Sequence, residues 1–124
     1  MNSAAEPTGR LTTHVLDTMS GLPGAGLVIE LYRMDGGGRQ QLGRITTNAD
    51  GRNPAPMLEG AALIAGTYEL VFHVGAYFRA RGVELTDPAF LDEVPVRFGI
   101  ADATRHYHVP LLVSPYGYST YRGS

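Results

Sequence analysis

The sequence predicts an all-β domain folded as a sandwich, and three observations carry that expectation. Sixteen glycines and eight prolines punctuate the 124 residues at short intervals. Between them lie runs rich in Val, Ile, Leu, Thr, Tyr and Phe, the residues that suit a pleated, half-buried surface. There are seven or eight such runs, each bounded by turn signals, which fits two packed sheets better than a helical or α/β chain.

The first strand is expected at residues 11–17, where alternation puts Thr12, His14 and Leu16 on one face and Thr13, Val15 and Asp17 on the other. Ser20-Gly21-Leu22-Pro23-Gly24 then turns the chain. Strands at 27–34 and 41–47 flank Asp35-Gly36-Gly37-Gly38, where glycine tolerates positive φ. Asn48-Ala49-Asp50-Gly51 makes the next turn, with Arg52 at its exit and a short extended piece near 53–55. After a strand at 66–74, the segment 75–82 breaks the β pattern. Its helix formers, bracketed by Gly75 and Gly82, allow about two turns at roughly 3.6 residues each. Strands at 94–100, 105–113 and 117–122 complete the set, the last two joined through Ser114-Pro115-Tyr116-Gly117.

Residues 1–10 read as a flexible leader and 11–124 as one domain. The start has no basic stretch followed by an apolar run, so no secretory signal is expected and the location reads as cytoplasmic. No apolar run approaches the roughly 20 residues of a membrane-spanning helix.

Composition narrows the chemistry. All ten bases are arginines, and lysine, cysteine and tryptophan are absent. A thiol nucleophile, a Schiff-base amine, a phosphate-loop lysine and a disulfide are thereby excluded. The charge of −2 and the scattered arginines give no basic stripe for nucleic acid. With 44% apolar and 18% charged residues, the chain can build a core.

The four histidines are therefore the candidates for proton transfer near neutral pH. His73 stands alone and reads as a solvated or hydrogen-bonded strand residue. In 105–113, Tyr107, Val109, Leu111 and Val113 form the better core face, which turns His106 and His108 outward, onto a partner or a cleft. A His-x-His on a strand aims both imidazoles the same way about 6.5–7 Å apart. With His14 as a third ligand the pair could hold zinc, but no acidic residue stands beside it to orient the ligands. Arg52 alone reads as a surface arginine after a turn. The end of the chain carries Tyr121 and Arg122 on an extended segment, as if it had a partner.

Several segments together resemble the 5-hydroxyisourate hydrolases, transthyretin-like proteins of purine degradation. They are Leu11-Thr12-Thr13-His14-Val15-Leu16-Asp17, Thr47-Asn48-Ala49-Asp50-Gly51-Arg52, the run from His106-Tyr107-His108-Val109-Pro110 through Tyr118-Ser119-Thr120, and the closing Tyr121-Arg122-Gly123-Ser124. The resemblance spans residues 11–124 and keeps the family's motif order. It implies a prealbumin-like (transthyretin-like) β-sandwich of two four-stranded sheets with one short helix, assembled as a homotetramer whose His14 and His108 face lines a channel between subunits.

The family's catalytic histidine, arginine and second histidine fall on His14, Arg52 and His108, and its substrate-binding tetrapeptide on Tyr121, Arg122, Gly123 and Ser124. The implied reaction is hydrolysis of 5-hydroxyisourate to 2-oxo-4-hydroxy-4-carboxy-5-ureidoimidazoline, with no cofactor or metal. A histidine takes the proton of water, Arg52 clamps the electron-rich substrate, and the tetrapeptide closes the pocket. Which histidine is the base stays open. Two rivals remain at this level: a transthyretin-like small-ligand binding protein, and a zinc hydrolase built on His14, His106 and His108.

Overall fold

The computed structural model describes residues 8–124 and is a two-sheet β-sandwich. Its elements are β1 (Arg10–Asp17), β2 (Leu22–Pro23), β3 (Val28–Asp35), β4 (Gly38–Thr46), β5 (Leu58–Glu59), β6 (Gly66–His73), helix α1 (Val74–Ala80), β7 (Glu93–Ile100), β8 (His106–Ser114) and β9 (Gly117–Thr120). One sheet has the order β2-β1-β8-β9, with β5 pairing the start of β1, and the other has the order β4-β3-β6-β7. The expected sandwich with one short helix is thus present, with the two-residue β5 added to the first sheet.

Alternation decides the layers. In β1, Leu11, Thr13, Val15 and Asp17 are buried while Thr12, His14 and Leu16 are half-exposed, and in β8 Tyr107, Val109, Leu111 and Val113 point inward. These meet Ile29 and Leu31 of β3, Tyr68, Leu70 and Phe72 of β6, and Val94 and Val96 of β7. Each fully buried side chain of this kind stabilises the fold by about 1.5–3 kcal/mol relative to exposure. Helix α1 caps one end with Tyr77 and Phe78.

One pairing positions everything that follows. β1 and β8 run parallel, in a register that sets Thr12 beside His108 and His14 beside Pro110. The outer face of this sheet therefore gathers Thr12, His14, His106 and His108.

Several boundaries differ from the expectation, each for a local reason. The helix covers Val74–Ala80 rather than 75–82, because Gly82 takes φ +79 and ends it. β4 starts at Gly38, since Gly36 and Gly37 alone make the positive-φ turn. The piece near 53–55 is not a strand: Pro54 and Pro56 have no N–H to donate, and pairing resumes only at Leu58–Glu59. β9 stops at Thr120 rather than 122. Of the expected leader, residues 1–7 lie outside the described residues, and its last member, Arg10, opens β1.

Candidate active site

The outer face of β1 and β8 is the floor of an open cleft of about 610 Å³. Its lining includes Thr12, His14, Arg52, Asn53, His106, His108, Tyr121, Gly123 and Ser124. Among the sequence candidates, His14, Arg52, His108, Tyr121, Gly123 and Ser124 thus come together, although 94 positions separate His14 from His108 along the chain of 124.

Arg52 reaches the site through the turn before it. Asn48 Oδ1 accepts hydrogen bonds from the backbone N–H of Asp50 at 3.0 Å and of Arg52 at 3.1 Å, while its carbonyl accepts from Gly51 N–H at 2.9 Å. Gly51 has φ +74, and a Cβ there would stand 2.5 Å from the Val15 carbonyl. Only glycine lets this turn dock on β1. The docking is completed by Val15 N–H donating to the Gly51 carbonyl at 2.8 Å and Thr13 N–H donating to Asn53 Oδ1 at 2.9 Å. His14 and Arg52 then face each other as an isolated antiparallel bridge.

The chain end returns to the site by the β8–β9 hairpin. Gly123 bridges His108, its N–H donating to the His108 carbonyl at 2.8 Å, and a side chain at 123 would overlap the His108 ring. Glycine here lets the tail lie flat along the imidazole. Arg122 is not brought into the cleft. Its guanidinium lies over the Tyr107 ring, 4.3 Å from the centroid, and donates to the His106 carbonyl at 3.4 Å, which fastens the tail from the other side.

Electrostatics favour neutral imidazoles beside fixed cations. His108 is held below the ordinary histidine value of 6.5, first by burial, then by the Arg52 guanidinium and the neighbouring His14 and His106. His14 is lowered too, by burial and then by Arg52, against an opposing pull from the Asp50 backbone and carboxylate. Arg10 and Arg52 line the cleft, and among the described residues no Asp or Glu side chain does. The site can thus offer neutral bases and donors at pH 7 and a guanidinium fork for a carbonyl or an anion.

Arg10, Thr12 and Asn53 are among the lining residues that sequence reasoning left without a site role, and His106 had one only as a zinc ligand. Thr12 shares its face with His14, a signal legible in the alternation. Asn53 acts through a backbone contact that no spacing announces. As for zinc, among the described residues no three His, Cys, Asp or Glu side chains stand close enough to hold a metal ion. His106 and His108 instead converge on the Thr12 hydroxyl. His73 lies on the other sheet, its Nε2 2.9 Å from Glu30 Oε1.

The model of the HIUase/Transthyretin family matches residues 11–123. The chain is 65% identical to 5-hydroxyisourate hydrolase 2 of Rhizobium meliloti, over 94% of this chain and 98% of that one, and 44% identical to the mouse 5-hydroxyisourate hydrolase, over 97% and 99%. Among solved structures, (S)-allantoin synthase superposes with a TM-score of 0.91 at 43% identity, covering 98% of this chain and 46% of the other, so this chain spans about half of that protein. The Klebsiella pneumoniae 5-hydroxyisourate hydrolase gives a TM-score of 0.77 at 36% identity, covering 94% and 99%. A sea bream transthyretin in complex with thyroxine gives 0.82 at 26%, covering 92% and 94%. The chain belongs to the HIUase/Transthyretin family.

Proposed function

We propose that this protein hydrolyses 5-hydroxyisourate to 2-oxo-4-hydroxy-4-carboxy-5-ureidoimidazoline. The observation that carries the reading is the convergence of His14, Arg52 and His108 with the chain end in one cleft, in a chain 65% identical to a protein named for that reaction. Backbone likeness alone would not decide, because the transthyretin superposes as well as the Klebsiella hydrolase does.

The chemistry follows from the side chains. The water oxygen bonds to a ring carbonyl carbon as an imidazole takes one of its protons, and the carbonyl electrons move onto oxygen. Arg52, always charged and planar, steadies that oxyanion. When the tetrahedral carbon collapses, its C–N bond breaks, the nitrogen receives a proton, and a carboxylate remains. Tyr121, Gly123 and Ser124 wall the substrate against the histidines, and Arg122 anchors that wall on Tyr107. A homotetramer fits the same reading. The cleft is open to one side in the single chain, and Met19, Leu22, Tyr116 and Tyr118 expose large apolar side chains.

The test is His108→Ala. Turnover should fall by about 10²–10⁴-fold, the usual contribution of a positioned acid or base, in a protein whose circular dichroism is unchanged. Near-normal turnover would remove His108 from the mechanism.

A further inference from the structure

Thr12 has a place in the cleft that the proposed chemistry has not used. Its Oγ1 lies 2.8 Å from His108 Nδ1 and 3.0 Å from His106 Nε2, with the second contact at the exposed rim and the first half-buried. Threonine owns one hydroxyl proton, so it can donate to only one of these nitrogens and must accept from the other. Two arrangements satisfy both bonds, and they leave opposite forms of His108. If Thr12 donates to His106, His108 carries its proton on Nδ1 and shows a bare Nε2. If Thr12 donates to His108, the proton sits on Nε2 and His106 supplies its own Nε2–H to the threonine oxygen.

The second arrangement is favoured by the intrinsic preference of the rings. A free histidine side chain prefers the Nε2–H form, and this is the arrangement in which both rings keep it. We propose that Thr12 is a positioning residue that donates its hydroxyl proton to His108 Nδ1, accepts from His106 Nε2–H, and so holds His108 with an N–H on the ring nitrogen left for the cleft.

The proposal rests on reading the cleft as the hydrolytic site and divides the labour within it. His108 Nε2–H becomes a hydrogen-bond donor toward the oxygen that gains charge, alongside Arg52. Taking the proton from water then falls to His14, the other neutral imidazole of the pair in the cleft. Water oxygen forms the new bond to carbon, its proton goes to His14, and the same proton returns to the leaving nitrogen as the C–N bond breaks.

Long-range proton–nitrogen correlation spectra of the labelled, full-length protein above the titration of both imidazoles report the form of His108 directly. The expected wild-type spectrum has an unprotonated Nδ1 and a protonated Nε2 for His108. Thr12→Val, similar in shape and lacking the hydroxyl, should lose that single form and lower kcat by about 10–100-fold with KM little changed, the scale seen when an orienting partner of a histidine is removed. Thr12→Ser should restore both the spectrum and kcat. A wild-type His108 protonated on Nδ1, or a Thr12→Val variant with unchanged spectrum and kcat, would overturn the assignment. If Thr12→Val does not fold, the wild-type and Thr12→Ser spectra still decide. Absence of 5-hydroxyisourate turnover in the wild type would sink the hydrolytic reading, while the spectra would decide Thr12's role independently.

Discussion

Charge on His14 and on His108 is opposed from two directions, by burial and by the Arg52 guanidinium, so these two rings stay neutral further into acid than an ordinary histidine. Activity that needs neutral imidazoles should therefore keep its plateau as pH falls through 6.5, the unperturbed value, with the acid limb of kcat/KM lying lower. A limb centred at or above 6.5 in the pH profile would contradict this. The same shifts bear on stability with a definite sign. The folded-state values are depressed, so the unfolded chain binds more protons below about 6.5 and the contribution of His14 and His108 shrinks as pH drops from there toward their folded values. At this scale histidine was legible as the proton-transfer residue type, because lysine and cysteine are absent, but Arg52 alone read as a surface arginine and only the family resemblance set it beside His14 and His108. Two things were not legible. That Arg122 stacks on Tyr107 instead of entering the cleft depends on the edge of the sandwich. Thr12's two partners depend on a strand pairing 96 positions away.

At the scale of elements, a buried hydrogen bond ties helix α1 to the end of β1. Tyr77 OH donates to Asp17 Oδ2 at 2.9 Å, while Asp17 Oδ1 accepts from the backbone N–H of Met19 and Ser20 and so also shapes the turn after β1. Burial first, and then the bond to Asp17, push the Tyr77 phenol up to about 12. Its folded value is raised, so its contribution is full below pH 10 and is lost as pH climbs through about 12. Removing the hydroxyl in Tyr77→Phe leaves a carboxylate oxygen of Asp17, itself 2% exposed, without its donor. The variant should be less stable by about 1.5–3 kcal/mol, read as a lower denaturant midpoint at unchanged slope. A midpoint equal to that of the wild type would show the bond to be dispensable. The helix itself was legible between Gly75 and Gly82, and the strands from their alternation. What escaped was whatever local propensity does not encode: the two-residue β2 and β5, and the proline-rich exit from the Arg52 turn, which is held by Asn53 rather than by a ladder.

At the scale of the molecule, the parallel pairing of β1 with β8 joins the two ends of the chain, and no periodicity in either segment announces it. Alternation could say that the histidine faces of both strands point outward; only the topology makes them one surface. The β8–β9 hairpin then lays Gly123 on His108, so the cleft is made by the beginning, the middle and the end of the chain at once. The same scaffold superposes on a thyroxine-bound transthyretin, so the sandwich by itself does not decide the function. The most direct measurement follows the ultraviolet absorbance of freshly generated 5-hydroxyisourate with and without catalytic amounts of the protein. The account predicts that the protein speeds its disappearance well beyond spontaneous decay, and a decay identical in both samples would contradict it.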